Sequence, residues 1–381
     1  MSDHPLHLGY MPLLDAAPLI VARELGLFRE QGLQVRLHRE VSWASLRDKL
    51  SVGALQGAQM LSPMTLAASM GLGAPPVPLT CAMVLSRNGN GITVSRALHD
   101  QLLSTGHDLS RPAMAAKALA LCTAAAREPL RVGIVYAWSS HYLQLMDWLE
   151  TAGLRPGQSL QVITVPPHRM TGALSRGEID MACVGEPWNS LAELEGTGHL
   201  LVTGHQIWQN APEKVLGMSS DWVEANPQVH QKLLMALIQA GRWLDNPVNR
   251  PALLDCLSLP PYLDQVVAPL GRGGAALFHP RIQQHFFRQS ANFPWLSQFR
   301  WLLERMIQRG QIPGEHSGAL PQGLFRPDLY RQAASALNLD SPLSSEKPEG
   351  EHPHPFTVPG REGPIEVGSD SLMLPTLDPI H

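Results

Sequence analysis

Charge is what this chain has least of. Asp, Glu, Lys and Arg make up 16% of its 381 residues, against about 25% in an average soluble protein. The net charge is −4, with no basic stripe, which gives no electrostatic footprint for direct nucleic-acid or membrane binding. Cysteine is scarce as well: Cys81, Cys122, Cys183 and Cys256 lie far apart with no C-x-x-C spacing. That excludes a disulfide framework or a zinc ribbon and fits small buried hydrophobes. No run approaches the ~20 apolar residues of a membrane helix. The first ten residues carry no cationic stretch, and Asp15, Arg23 and Glu24 interrupt the apolar segment after them. An export signal is therefore not expected, and the chain is expected in the cytoplasm. Neither a G-x-S-x-G elbow nor a phosphate-binding G-x-x-x-x-G-K-[ST] loop occurs, and His38 and His205 have no metal-spaced partner. No catalysis, no cofactor and no metal are expected.

What is present is a regular alternation of strand and helix patterns in a chain that is 44% hydrophobic. Residues 6–10 read as a strand, 15–18 as an Asp-Ala-Ala-Pro turn, 19–30 as an amphipathic helix and 33–37 as a second strand. The alternation continues to about residue 95 and repeats from 96 to 200, which predicts two α/β lobes with parallel sheets. Residues 201–340 become mainly helical, with helices predicted from 226 to 244, 294 to 309 and 327 to 337, and read as a return segment completing the first lobe. Residues 341–381 are rich in Pro, Ser, Gly and Glu without sustained periodicity and read as a disordered tail. A short apolar stretch there, Leu372-Met373-Leu374, is the one part able to dock. Two lobes imply a cleft, and clefts at strand carboxyl ends are where small ligands bind.

Five segments place polar or aromatic residues at a strand end or helix start. They are Val41-Ser42-Trp43-Ala44, Asn88-Gly89-Asn90-Gly91, Ala137-Trp138-Ser139-Ser140-His141, Gly185-Glu186-Pro187-Trp188 and Ala211-Pro212-Glu213-Lys214. Each has a plain structural reading. Ser42 suits a helix N-cap before a core tryptophan, Asn-Gly-Asn-Gly suits a turn, and Glu-Lys suits a solvated face.

Taken in order, the five resemble the ligand segments of the nitrate-binding proteins of cyanobacterial-type ABC transporters. Leu61-Ser62-Pro63-Met64, Val165-Pro166-Pro167 and Asp221-Trp222-Val223 match as framework. The resemblance spans residues 6 to 335. It implies an α/β, two-lobed, periplasmic-binding-protein-like type II fold with the ligand cleft between the lobes. It also implies that Trp43 meets a planar anion through its ring or indole N–H, that His141 and Lys214 supply charge-assisted donors, and that Gly89 and Asn90 supply amides. Glu186, an acceptor, would orient the proton on His141 or pair with Lys214. Asn90 departs from the family's glutamine and is shorter by one methylene. The family's bicarbonate binders use carboxylates and calcium, and no acidic cluster with calcium-ligand spacing occurs here, which favours nitrate or nitrite.

An anion binder expected in the cytoplasm resembles the nitrate/nitrite sensors of the NasS kind. That resemblance implies a partner, a NasT-like RNA-binding antiterminator carrying an ANTAR domain, which is released when the anion binds. The alternative is the substrate-binding component of a nitrate, bicarbonate or sulfonate ABC transporter.

Overall fold

The computed structural model describes residues 5–263, 269–270, 279–313 and 318–373. The opening unit folds as its pattern dictates. Strand β1 (Leu6–Tyr10) pairs in parallel with β2 (Val35–Arg39) on one side and β3 (Gly57–Leu61) on the other. Between β1 and β2 the single helix expected over 19–30 is two, Ala17–Glu24 and Leu27–Glu30. Gly26 separates them at φ 79, a left-handed conformation that ends a helix and that glycine adopts without a Cβ penalty.

The first sheet also holds β4 (Leu79–Arg87) and, between β3 and β4, the strand β10 (Pro212–Ser219), giving the order β2-β1-β3-β10-β4. The second sheet contains β5 (Asn90–Ser95), β6 (Leu130–Ile134), β7 (Leu160–Thr164), β8 (Met181–Gly185) and β9 (Gly198–Thr203), in the order β7-β6-β8-β5-β9. The two orders are the same pattern. In each lobe the strand that follows a crossing from the other lobe is inserted next to the sheet's edge. Such a strand enters from the opposite end and so runs antiparallel: β10 to both β3 and β4, β5 to both β8 and β9. The sheets are therefore mixed, where the alternation had suggested purely parallel ones.

This topology moves two expected boundaries. The first crossing falls at Asn88-Gly89, because β5 already belongs to the second sheet, so the first lobe's opening part ends near 88 and not 95. The return segment is less helical than expected, since it begins with a strand, β10, in the first sheet. Its helices Pro227–Leu244, Leu296–Gln308 and Pro327–Ala336 lie where the periodicity put them. The first of these buries Leu233, Leu234, Leu237 and Ile238 in a core shared with the helix Ala17–Glu24 and strand β1. A second apolar cluster joins the lobes. Leu13, Trp43 and Met64 from the first meet Leu143, Val184 and Trp188 from the second.

Residues 341–373 are folded onto the molecule, contrary to the disorder their composition suggested. β11 (Glu351–His352) pairs with β14 (Asp370–Ser371), and β12 (Phe356–Pro359) with β13 (Pro364–Val367). Few apolar residues are needed because a buried polar cluster anchors the segment: Lys347 Nζ contacts Glu349 at 2.6 Å and also pairs with Asp370. Leu372 packs against the apolar cluster that joins the lobes, and Met373 against the core of the second lobe. Leu374 and the rest of the chain, 374–381, lie outside the described residues.

Candidate functional site

The site is assembled from strand ends and helix starts that the two crossings bring face to face. Helix Trp43–Ser51 is capped by Ser42, whose hydroxyl accepts from the Ser45 amide at 3.1 Å. Helix Ser140–Glu150 is capped in the same way by Ser139, which accepts from the Tyr142 amide at 3.2 Å. Serine at these positions satisfies an orphan amide of the first turn. It thereby fixes Trp43 and His141 at the beginnings of their helices. Both side chains are buried.

Strand β10 supplies the charges. Alternation along a regular strand would send Glu213 and Lys214 to opposite faces. The pairing of β10 with β4 is irregular between Pro212 and Lys214 and again between Lys214 and Val215. Irregularities of this kind re-aim side chains. Both residues enter one buried cluster: Lys214 Nζ lies 2.5 Å from Glu213 Oε1 and 2.8 Å from Asp15 Oδ2. It also sits 5.7 Å from the centre of the Trp43 ring, within reach of a cation–π attraction.

Glu213 is the hub between the lobes. Its carboxylate accepts from Asn90 Nδ2 at 2.5 Å, from the Ser140 hydroxyl and from His141 Nδ1 at 3.3 Å. All three belong to the second lobe, while Glu213 and Lys214 belong to the first. On the Asp15 side, Gln59 donates to the carboxylate and accepts from the Met11 amide at 2.8 Å.

Burial opposes charge on every one of these groups, and their partners decide the outcome. For Glu213, burial works against the carboxylate, but Lys214 and His141 overcome it and bring the pKa down to about 2. For Lys214, burial is again the largest influence and is outweighed by Asp15 and Glu213, so its pKa is raised. Asp15 is the weaker partner: burial pushes it up to about 6 despite Lys214. His141 is lowered by burial, which Glu213 only partly offsets. At neutral pH its ring is neutral, and the Nδ1 hydrogen points to Glu213.

The expected site residues divide as follows. Trp43, Asn90, His141 and Lys214 converge on one cluster. Gly89 stands at the first crossing at φ 99, and its carbonyl accepts from the Glu186 amide at 2.8 Å, extending the β5–β8 pairing. Glu186 does not take the role expected of it. Its carboxyl turns into the helix that follows, accepting from the Ser190 amide at 3.3 Å, and burial pushes its pKa up to about 8. The reason is the turn at Pro187, which starts helix Trp188–Leu194 immediately and places a first-turn amide within reach. Glu213 pairs with His141 and Lys214 in its place. Glu213, Asp15, Gln59 and Ser140 are the members that sequence reasoning missed. Pro-Glu-Lys adjacency was a signal for Glu213, but no pattern in the chain announces the irregular pairing that turns it inward.

Three buried polar atoms of the cluster have no hydrogen-bond partner among the described residues: Trp43 Nε1, His141 Nε2 and Asn90 Oδ1. Buried polar groups are overwhelmingly paired in folded proteins. A cluster of unpaired ones around a buried ammonium suits a small polar ligand. The cysteine nearby offers no nucleophile, since burial pushes the Cys183 thiol upward. Among the described residues no group of three or more His, Cys, Asp or Glu is placed to hold a metal. No helix there is long and apolar enough to cross a membrane.

The nitrate import ATP-binding protein NrtC of Synechocystis sp. is 36% identical over 345 residues, 87% of this chain and 50% of its own length. The bicarbonate transport ATP-binding protein CmpC of the same organism is also 36% identical, over 88% of this chain and 50% of its own. The chain thus spans about half the length of these two relatives. The nitrate/nitrite binding protein NrtA of Synechocystis sp. is 31% identical over 350 residues, 87% of this chain and 76% of its own. The crystal structure of periplasmic NrtA from Synechocystis PCC 6803 superposes with a TM-score of 0.81 at 28% identity, covering 94% of each chain. The NMT1-like family model matches residues 2–258. The chain belongs to the NMT1-like family and has the two-lobed periplasmic-binding-protein fold.

Proposed function

We propose that this protein binds nitrate or nitrite between its lobes and acts as a sensor, with closure around the anion controlling a NasT-like ANTAR antiterminator. The observation that carries the anion reading is the buried Lys214 ammonium set against the Trp43 ring, whose indole N–H has no partner among the described residues. A planar monovalent anion would take the indole hydrogen in its plane and the ammonium beside it, both from buried side chains. The binding of nitrate/nitrite by the NrtA relative supports the same choice.

The sensing part rests on the resemblance to NasS-like sensors; the NrtC and NrtA relatives, at 36% and 31% identity, bear on nitrate and its import. Lobe closure provides the two states such a device needs. The rival reading, a transporter's substrate-binding component, draws on the match to periplasmic NrtA over 94% of each chain.

A thermal-shift panel of nitrate, nitrite, hydrogencarbonate and taurine tests the anion. A ligand at a hundred times its Kd stabilises the fold by about 2.7 kcal/mol. A rise with nitrate or nitrite alone supports the reading, and a rise with hydrogencarbonate or taurine alone removes it. Calorimetric titration of nitrate with and without the antiterminator tests the sensor. Linkage requires the partner to weaken nitrate by the factor nitrate weakens the partner. Equal affinities remove the regulatory role.

A further inference from the structure

His141 is fixed at one nitrogen and unpartnered at the other. Nδ1 is 3.3 Å from Glu213 Oε1, an ionised carboxylate that accepts and cannot donate, so the ring hydrogen sits on Nδ1. Nε2 is then a bare lone pair, buried and without a partner among the described residues. Asn90 is in the same position. Its amide nitrogen is committed to Glu213, leaving Oδ1 as an unpaired acceptor. The second lobe therefore offers acceptors to the cleft, and an anion with no hydrogen of its own cannot use them.

The charges lead to the same difficulty. Lys214 faces two carboxylates, Asp15 and Glu213, at 2.8 and 2.5 Å. The cluster carries one positive and two negative charges when all three are ionised. A monovalent anion entering this buried cluster adds a third negative charge in a low-dielectric site.

We propose that nitrate or nitrite binds here together with one proton from solvent, taken up at His141 Nε2, and that Glu213 is the positioning residue that holds the ring and stabilises the resulting imidazolium. The balance is simple: one anion and one proton enter, and the net charge of the cluster is unchanged. The proton turns Nε2 from acceptor into charge-assisted donor, aimed at the ligand while Nδ1–H stays on Glu213. This inference deepens the anion reading above and rests on it.

Among the described residues the groups facing His141 are few. From β10 come Glu213, which favours the imidazolium, and Lys214, which opposes it. From β8 comes Cys183, whose Sγ lies 3.4 Å from the His141 carbonyl and whose thiol burial keeps neutral. Asp15 stands behind Lys214, and Glu186 closes the end of β8. Burial keeps the unliganded ring neutral, so the proton is available to be gained on binding.

The test is calorimetry of nitrate binding to the full chain at pH 7.5, in phosphate and in Tris, whose ionisation enthalpies differ widely. The dependence of the observed enthalpy on buffer counts the protons. The expected count is about one, with affinity falling up to roughly tenfold between pH 7 and 8. Glu213→Gln is expected to lose both the uptake and the pH slope, and Glu213→Asp to retain them. Asp15→Asn is expected to keep the uptake whatever it does to affinity. Nitrate binding with no proton uptake overturns the proposal and leaves the anion reading standing. Uptake that survives Glu213→Gln, or vanishes in Asp15→Asn, also overturns it. Should Glu213→Gln fail to fold, the wild-type pH series and Glu213→Asp decide. No binding of nitrate or nitrite at any pH removes the anion reading and this proposal together.

Discussion

The indole N–H of Trp208 donates to Asp370 Oδ1 at 2.9 Å, and both residues are buried. Trp208 lies on the second crossing, between β9 and β10. Around this bond the Gln209 amide donates to the Ser371 carbonyl at 3.0 Å, Asn210 Nδ2 to Ser369 O at 2.6 Å and the Met373 amide to Ile207 O at 2.8 Å. The C-terminal segment is thus laced along one of the two connections between the lobes.

Asp370 should therefore matter to stability more than its neighbour Glu349. Burial pushes the Glu349 carboxyl up to about 8, so at neutral pH it is largely protonated and Asp370 is the ionised partner of Lys347. Asp370→Ala would leave Lys347 without its counter-ion and the Trp208 N–H unpaired, a loss of about 3–5 kcal/mol. Glu349→Gln mimics the protonated carboxyl and should cost much less. Urea denaturation at pH 7 with unchanged m values would measure both. Equal losses would place the charge on Glu349.

Within the site, Lys214→Ala and His141→Ala should each weaken nitrate binding by about 1.5–3 kcal/mol, the range for hydrogen bonds to charged groups. Trp43→Phe keeps the ring and loses the N–H, for about 0.5–1.5 kcal/mol. Calorimetry under one set of conditions compares the three. Unchanged affinity in Lys214→Ala and His141→Ala would separate the ligand from this cluster.

How much of this could be read beforehand depends on the range of the forces involved. Helix Pro227–Leu244 and the caps at Ser42 and Ser139 are local, set by spacing and by one hydroxyl each, and the residues show them directly. The convergence of Trp43, Asn90, His141 and Lys214 was legible only through family resemblance, because no short-range pattern connects segments so far apart. The antiparallel insertion of β5 and β10 follows from where the chain crosses. Asn88-Gly89-Asn90-Gly91 reads locally as a turn, which does not tell that the next strand joins another sheet; Asn88 at φ 58 and Gly89 at φ 99 carry the crossing out. The order in 341–373 escaped notice because a buried Lys347–Asp370 ion pair with Glu349 beside it, not apolar periodicity, holds it. The role expected of Glu186 fell to Glu213 through a strand irregularity that composition cannot encode.

Glu186 gives a pH prediction of definite sign. Its folded-state pKa, about 8, lies above the ordinary glutamate value of 4.5. The folded state therefore holds the proton more tightly than the unfolded one. The associated stability is complete below about pH 4.5 and is lost as pH rises through 8, at up to about 1.4 kcal/mol per pH unit. Glu186→Gln cannot ionise, so its stability relative to the wild type should climb steadily from pH 5 to pH 8. A difference that stays flat over that window would mean that Glu186 is ionised in the fold.

Gly89 offers the sharpest test of the first crossing. Its φ of 99 is one that side chains rarely adopt, and a Cβ added there would lie 2.8 Å from Gln284 Nε2. Gly89→Ala should cost about 1–3 kcal/mol through backbone strain. The steric contact falls on the far end of a flexible side chain, so it can be relieved separately. In a double-mutant cycle, Gln284→Ala should recover the small part of the loss that comes from the clash and leave the part that comes from φ. If Gln284→Ala restores full stability, the crossing tolerates a side chain and glycine is there only for space. If most of the loss remains, the left-handed turn itself is what carries the chain from β4 into the second lobe.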